Sequence, residues 1–133
     1  MINLLVVSGI PSTKVRAVTS GPAVNLYINL MGRDPNGTVD PAEYVCLQRQ
    51  LVGLLQGLQE DNPNYRLGRS QVSIFDKVYA RPVPKDLSDP NFGRGTSEII
   101  GQDGGDVFAM LTSGYNFDGI QSPVVRRDVV RGT

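Results

Sequence analysis

A strand pattern followed closely by a helix pattern constrains the fold of this chain more than any other feature. Apolar and polar residues alternate from Val24 to Leu30, so the apolar side chains share one face of an extended segment. After a turn sequence rich in glycine and proline, apolar residues recur at three- and four-residue intervals. These are Tyr44, Leu47, Leu51, Leu54, Leu55 and Leu58. We therefore expect a helix of about five turns whose apolar stripe packs on a sheet that contains this strand.

The helix has a clear predicted start and a predicted end. Asp40 is placed as the N-cap, Pro41 as the first helical residue, and Glu43 completes a capping box with Asp40. The polar sequence from Asp61 to Asn64, which contains a proline, is expected to end the helix. The helix is thus predicted to occupy most of the chain between Pro41 and Asp61.

Some residues inside the predicted helix lead to further expectations. Cys46 is interpreted as a small buried side chain rather than a reactive thiol. Gln48 is expected on the solvated side. Gly53 and Gly57 weaken a helix interior, and close packing of the helix on a sheet would explain them.

Further strands and loops follow from apolar runs and from glycine and proline positions. Asp106–Thr112 is apolar on both faces and is therefore predicted to be central in the sheet. The other predicted elements are strands at Leu4–Val7, Lys14–Thr19 (edge), Gln71–Ala80 and Val124–Val130 (edge or frayed end), a long loop over Arg81–Gly95, and one helical turn at Thr96–Ile100.

The order of these elements predicts an α+β fold, in which one long amphipathic helix packs on a mixed or antiparallel β-sheet. A chain of 133 residues is long enough for one domain with a hydrophobic core. We therefore expect residues 1–133 to form a single domain.

Composition narrows the classes of function that the chain can serve. Thirteen lysines and arginines balance thirteen acidic residues, so no basic face for nucleic acid is expected. The chain has no histidine and a single cysteine, which removes histidine-dependent catalytic triads, most zinc sites and an internal disulfide. No signal peptide and no apolar run of about 18 residues is visible, so no membrane partner is expected.

Arg33 is the candidate substrate-binding residue, because an arginine beside a strand end can hold a phosphate or a carboxylate. The alternative is that Arg33 pairs with a neighbouring acid such as Asp34 and fixes the loop. The acidic, glycine-rich stretch Gly101–Asp106 is interpreted as a strand entry rather than a calcium loop, and Gly93–Thr96 as a plain loop rather than a phosphate cradle. Aromatic side chains that could stack on a base, or simply pack, are Tyr79, Tyr115 and Phe117.

Two stretches resemble one family of metallohydrolases. Val24–Tyr44 reads Val-Asn-Leu-Tyr-Ile-Asn-Leu-Met-Gly-Arg-Asp-Pro-Asn-Gly-Thr-Val-Asp-Pro-Ala-Glu-Tyr, and Gly105–Gly119 begins Gly-Asp-Val-Phe-Ala-Met-Leu-Thr-Ser-Gly-Tyr-Asn-Phe. They resemble two segments, found in the same order, of the type I phosphodiesterase and nucleotide pyrophosphatase branch of the alkaline phosphatase superfamily. From this resemblance we carry over only a structural role, that of a strand-to-helix loop, to Gly32, Arg33, Asp34, Pro35 and Gly37.

The resemblance implies a function that this chain cannot carry out alone. Members of the family hydrolyse phosphate diesters or pyrophosphates with two divalent metals, usually zinc, and a threonine or serine nucleophile. Their metal ligands are aspartates and histidines outside the matched segments. No catalytic residue and no metal ligand is therefore carried over, and no cofactor is expected in this chain.

Two classes of function remain open from the sequence. The first is an excised insertion or cap domain, whose partner is the catalytic core of the parent chain and which helps to set substrate specificity. The second is a free-standing, non-catalytic protein-interaction module. As an isolated domain, the chain is expected to form a homodimer.

Overall fold

The computed structural model describes residues 2–3, 9–61, 71–112, 115–117 and 124–127. These residues form an α+β fold with one 17-residue helix and a four-stranded antiparallel sheet. The elements are β1 (Ile2–Asn3), β2 (Val15–Ser20), β3 (Ala23–Ile28), α1 (Pro41–Gly57), β4 (Gln59–Asp61), β5 (Gln71–Ser73), β6 (Phe75–Ala80), β7 (Val107–Leu111), β8 (Tyr115–Phe117) and β9 (Val124–Arg127). The strand predicted at Leu4–Val7 lies outside the described residues.

The main sheet has the strand order β2-β3-β7-β6, with every neighbouring pair antiparallel. The central position predicted for β7 and the edge position predicted for β2 are both confirmed. Arg16 pairs with Tyr27 across β2 and β3, and Asn25 pairs with Phe108 across β3 and β7. The alternating pattern of β3 buries Val24, Leu26 and Ile28 on the helix side.

The start of α1 agrees with the local sequence, since the Asp40 side chain accepts a hydrogen bond of 2.8 Å from the Glu43 backbone N–H. Only half of the predicted capping box forms, because the Glu43 carboxylate pairs with Lys14 at 2.5 Å. The helix ends at Gly57, earlier than predicted, where Leu58 adopts an extended conformation. The residues after Leu58 continue as β4, which pairs with β5.

Several expectations about the faces of α1 are wrong. Gln48 is only 6% exposed, because it reaches backbone carbonyls of the sheet side. Cys46 is exposed instead of buried. A Cβ added at Gly53 or Gly57 would meet no atom within 4 Å, so close packing does not explain these glycines. Leu51 is fully buried as expected, whereas Leu54 is only half-buried.

Two predicted strands have different roles in the structure. The single strand expected over Gln71–Ala80 is divided at Ile74, a buried residue whose backbone N–H donates to Leu58 O at 3.0 Å. Its first part pairs with β4 and its second part with β7. The predicted edge strand β9 is the middle strand of a second sheet with the order β1-β9-β8.

The connection between β6 and β7 contains no helix or strand, in agreement with the loop predicted there. The helical turn predicted at Thr96–Ile100 is wrong. Ser97 instead closes a tight bend, since its backbone N–H donates to Ile100 O at 2.8 Å and its hydroxyl accepts from Ile100 N at 3.0 Å. This loop carries side chains of the cluster described next.

Candidate functional site: a buried aspartate and an arginine-lined groove

A charged cluster lies where β3, α1 and β7 meet. Its centre is Asp106, which directly precedes β7 and is only 1% exposed. Arg33, Asp34, Tyr44 and Arg81 surround it, and together these five residues are called the Asp106 cluster. A buried carboxylate is stable only when it is paired and hydrogen-bonded, and here Arg33, Tyr44 and Arg81 supply donors or positive charge.

Both oxygens of Asp106 accept hydrogen bonds. The guanidinium of Arg33 donates in a bidentate manner, from Nη1 to Oδ1 at 2.6 Å and from Nη2 to Oδ2 at 2.9 Å. The Tyr44 hydroxyl donates to Oδ1 at 2.6 Å, and the Ile28 backbone N–H donates to Oδ2 at 2.7 Å. Such charge-assisted, bidentate contacts are the stronger hydrogen bonds of proteins.

Arg81 is the second cation of the cluster and, unlike the partly buried Arg33, is only 3% exposed. Its Nη1 donates to Gly95 O, and its Nη2 donates to Gly104 O at 2.5 Å and to Gly101 O at 3.2 Å. Its Nε lies 3.3 Å from Asp106 Oδ1 without hydrogen-bond geometry. Arg81 therefore adds positive charge beside Asp106 while it ties two loops together.

Gln48 of α1 joins the helix to this cluster. Its side-chain amide donates to Arg81 O and to Asp106 O, each at 3.0 Å. A polar residue in the apolar stripe is thus used to satisfy backbone carbonyls at the point where the helix meets the sheet.

Arg33 has all its donors engaged within the protein. Besides Asp106, it donates to Ile28 O and Gly93 O, each at 2.7 Å, and to the carboxylate of Asp34. Asp34 in turn accepts from the Leu30 backbone N–H at 2.9 Å. This is the arrangement of the alternative interpretation, in which Arg33 pairs with an acid and fixes the loop. A substrate-binding role for Arg33 stays a prediction.

The loop that carries Arg33 folds tightly against its own strand. The Gly37 N–H donates to Asp34 O at 3.1 Å, and Leu30 forms a bridge with Val39. A Cβ at Gly37 would overlap the Leu30 carbonyl. Glycine is therefore required there by close approach of the backbone.

Burial and charge shift the pKa values of two cluster residues. Burial would lower the pKa of Arg33, but hydrogen bonds to Asp106 and Asp34 outweigh it and raise the pKa above its ordinary value. For Tyr44, burial and then the charge of Asp106 raise the pKa well above its ordinary value. At neutral pH, Arg33 is therefore charged and Tyr44 is a neutral donor.

The other candidate positions serve local structure. Within Gly101–Asp106, Asp106 belongs to the cluster and enters β7, as the strand-entry interpretation requires. Tyr79 stacks on Phe108 with 6.3 Å between ring centroids. Of Tyr115 and Phe117 the structure describes only the strand β8 and not the side chains. Among the described residues, no group of three or more His, Cys, Asp or Glu could hold a metal ion.

An open groove of about 350 Å³ lies beside the Asp106 cluster and is lined by three of its residues. Arg16 and Tyr27 belong to the main sheet, Arg33 and Asp34 to the loop after β3, and the other lining residues to the connection between β6 and β7. The lining residues are Arg16, Tyr27, Arg33, Asp34, Arg81, Gly93, Arg94, Gln102, Asp103 and Gly104. The groove thus combines four arginines with two aspartates.

Sequence reasoning found Arg33 and Asp34 but missed the rest of the cluster. Tyr44 stands in the apolar stripe, and Asp106 stands at the start of an apolar run, where each has an ordinary structural explanation. The useful signal was the resemblance, because it contains both the Arg-Asp loop and the Gly-Asp strand start. Nothing in the local sequence indicated Arg81.

Compared with family models, with curated proteins and with solved structures, the chain has no match. In the part of the chain that the structure describes, no helix is long and apolar enough to span a bilayer.

Proposed function

We propose that this chain is a non-catalytic domain of a metal-dependent phosphodiesterase or nucleotide pyrophosphatase-like hydrolase, with a structural or substrate-specificity role. The observation that supports the proposal is the position of the two stretches that resemble this family. Arg33 and Tyr44 come from the first stretch and Asp106 from the second, and they join in one hydrogen-bonded cluster.

The contact between residues of the two stretches suggests a structural role for them. Arg33 lies 73 residues from Asp106 in sequence, yet the pair makes a bidentate contact. A motif whose charged side chains are all paired within the domain is suited to holding a loop in place. The reacting groups and the two metals of the family would then come from the catalytic core, and no chemical step is assigned to residues of this chain.

The main sheet and α1 fit the role of a packing domain under this proposal. We propose that α1 is the long amphipathic helix expected from the sequence, with Tyr44, Leu47, Leu51 and Leu55 on its buried side. The opposite face of the sheet, which carries Tyr27 and Phe108, would then be available to the catalytic core.

The test compares this chain with the product of the longest reading frame that contains it. With zinc present, the longer product should hydrolyse bis(p-nitrophenyl) phosphate, and the 133-residue chain should not. In the longer product, Arg33→Ala should lower activity only in proportion to the loss of folded protein, whereas Arg33→Lys should lose less.

Two results would contradict the proposal. Metal-dependent turnover by the chain alone would place the catalytic centre within it. A longer product without phosphodiesterase activity, or a reading frame that adds no catalytic core, would favour the free-standing interaction module.

A further inference from the structure

We propose that the arginine-lined groove binds a small organic phosphate, with Arg16 and Arg94 as the residues that hold the phosphate. The proposal concerns the groove alone and does not depend on the hydrolase proposed above. The volume of the groove, about 350 Å³, falls in the range of small-molecule sites.

The walls of the groove are fixed by Arg33 and Arg81. Arg33 donates to Gly93 O at 2.7 Å, next to Arg94, and Arg81 donates to Gly95 O on the other side of Arg94. Arg81 also donates to Gly104 O, in the segment that lines the other side of the groove. Backbone on both sides of the groove is thus tied to the Asp106 cluster, and such rigidity reduces the entropic cost of binding.

Gly93 adds to this rigidity. Its φ is +77°, and an added Cβ would overlap the Leu30 side chain, so the loop is fitted closely against the core. The backbone N–H of Arg94 donates to Asn91 O at 3.0 Å. The backbone from which the Arg94 side chain starts is therefore held in a defined position.

The floor of the groove is also fixed. The Tyr27 hydroxyl donates to Asp103 O at 3.0 Å, which ties the sheet to the loop around Gly104. The guanidinium of Arg16 lies 5.2 Å from the centre of the Tyr27 ring, in a cation–π contact. This contact places a positive charge over the floor without neutralising it.

The charges of the groove are unequally compensated. Arg33 and Arg81 are paired with Asp106 and Asp34. No carboxylate of the described residues lies within 4 Å of the guanidinium of Arg16 or Arg94. Because Asp34 is paired with Arg33, Asp103 is the one lining carboxylate left to balance Arg16 and Arg94. The groove therefore keeps an excess of one positive charge.

A phosphate group is the anion that fits this arrangement. Guanidinium groups match the geometry of phosphate oxygens, and a phosphate monoester carries enough negative charge near neutral pH to pair with two arginines. A second groove of about 350 Å³ adjoins the first, since both are lined by Arg16, Tyr27 and Asp34. It adds the neutral hydrogen-bonding residues Ser12, Thr13 and Asn29, which suit a hydroxylated ligand body.

The experiment is a calorimetric titration of the chain with ribose 5-phosphate at low ionic strength, with ribose and inorganic phosphate as comparison ligands. We expect saturable binding of ribose 5-phosphate, weaker binding of inorganic phosphate and none of ribose. Arg16→Gln and Arg94→Gln should each weaken binding about tenfold, since a charge-assisted hydrogen bond is lost. Added salt should weaken binding further.

The matched control is Arg49→Gln, because Arg49 is an exposed arginine of α1 outside the groove lining. It should bind as the unchanged chain does, and thermal melts should show that all three variants remain folded. The proposal is overturned if ribose 5-phosphate does not bind saturably, if the two groove variants bind within about twofold of the unchanged chain, or if Arg49→Gln weakens binding equally.

Discussion

At the scale of single residues, Asp106 is the buried charge on which the cluster depends. A carboxylate with 1% exposure is surrounded by two arginines, a tyrosine hydroxyl and a backbone N–H. Burying charges is costly, and a buried ion pair is not in itself a source of stability. The cost of losing one partner is nevertheless large, because the remaining charges stay buried without compensation.

Asp106→Asn should therefore destabilise the fold strongly. The substitution removes the charge that compensates Arg33 and Arg81, and we expect a loss of about 3–5 kcal/mol in the free energy of unfolding. Urea unfolding followed by circular dichroism measures it. The control is Asp103→Asn, an exposed carboxylate without an ion pair among the described residues, which should change stability by less than about 0.5 kcal/mol. Equal small losses for both variants would show that the cluster is not important for stability.

Tyr44 leads to a prediction about alkaline pH. Its pKa is raised in the folded state by burial and by the charge of Asp106, whereas the pKa of a tyrosine in the unfolded chain is about 10. The unfolded state therefore releases a proton that the folded state keeps. The stabilisation is fully present below pH ~10 and is lost as pH rises, by about 1.4 kcal/mol per pH unit.

The measurement is the free energy of unfolding between neutral pH and the highest pH at which the chain stays folded. Tyr44→Phe should remove this part of the slope, and Tyr79→Phe, whose ring stacks on Phe108 instead of contacting Asp106, should leave it in place. A Tyr44→Phe variant with an unchanged slope would exclude Tyr44 as its source.

At the scale of elements, α1 is held by its buried side rather than by its intrinsic propensity. Tyr44, Leu51 and Leu55 are almost fully buried against the sheet, and Gln48 anchors the helix to backbone carbonyls. Two glycines lie in its last turns without a packing reason. Packing and propensity can therefore be tested separately on the same helix.

Leu51→Ala tests the packing. Because Leu51 is 1% exposed, its truncation should leave a cavity and cost roughly 2–5 kcal/mol. Denaturant unfolding measures the loss, and Leu54→Ala, at a half-buried position, should cost clearly less. A loss below about 0.5 kcal/mol at Leu51 would mean that the side chain is not in the core.

Gly53→Ala tests the propensity. A methyl group at this exposed helical position would meet no neighbour within 4 Å, so the substitution should stabilise the chain by about 0.5–1 kcal/mol. Thermal unfolding detects the gain as a higher midpoint. The matched control is Gly37→Ala, where the added Cβ would overlap the Leu30 carbonyl and stability should fall. A destabilising Gly53→Ala would indicate a contact on this face of α1.

At the scale of the whole molecule, α1 packs on one face of the main sheet. In the described part of the chain, the outer edges of β2 and β6 pair with no further strand. The opposite face carries the stacked pair Tyr79 and Phe108, and Met110 beside it is 37% exposed. Apolar surface and open strand edges of this kind promote association between chains.

We therefore predict that the chain forms dimers as its concentration rises. Analytical ultracentrifugation over a range of concentrations should show a monomer–dimer equilibrium. Met110→Lys should shift it towards monomer, because a charge would be placed on the face of the sheet opposite α1. Met31→Lys, at an exposed loop position, should leave it unchanged. A strict monomer at every concentration would contradict the prediction.

The sequence determined the features that depend on near neighbours. The alternation of β3 and the start of α1 at Asp40 and Pro41 were predicted correctly, because pleating and capping involve residues only a few positions apart. The α+β class followed from the order of such elements. Arg33 and Asp106 both stand in stretches that the sequence analysis singled out, but their contact was not predicted.

The tertiary structure decided whatever depends on residues that are distant in sequence. Gln48 is buried because backbone carbonyls at Arg81 and Asp106 reach it, and the segment from Gln71 to Ala80 is divided because its two parts have different strand partners. Likewise, β9 is a central strand because β1, from the other end of the chain, pairs with one of its edges while β8 pairs with the other. Local periodicity carries no information on such partners, since pairing and charge compensation are fixed only when the chain has folded.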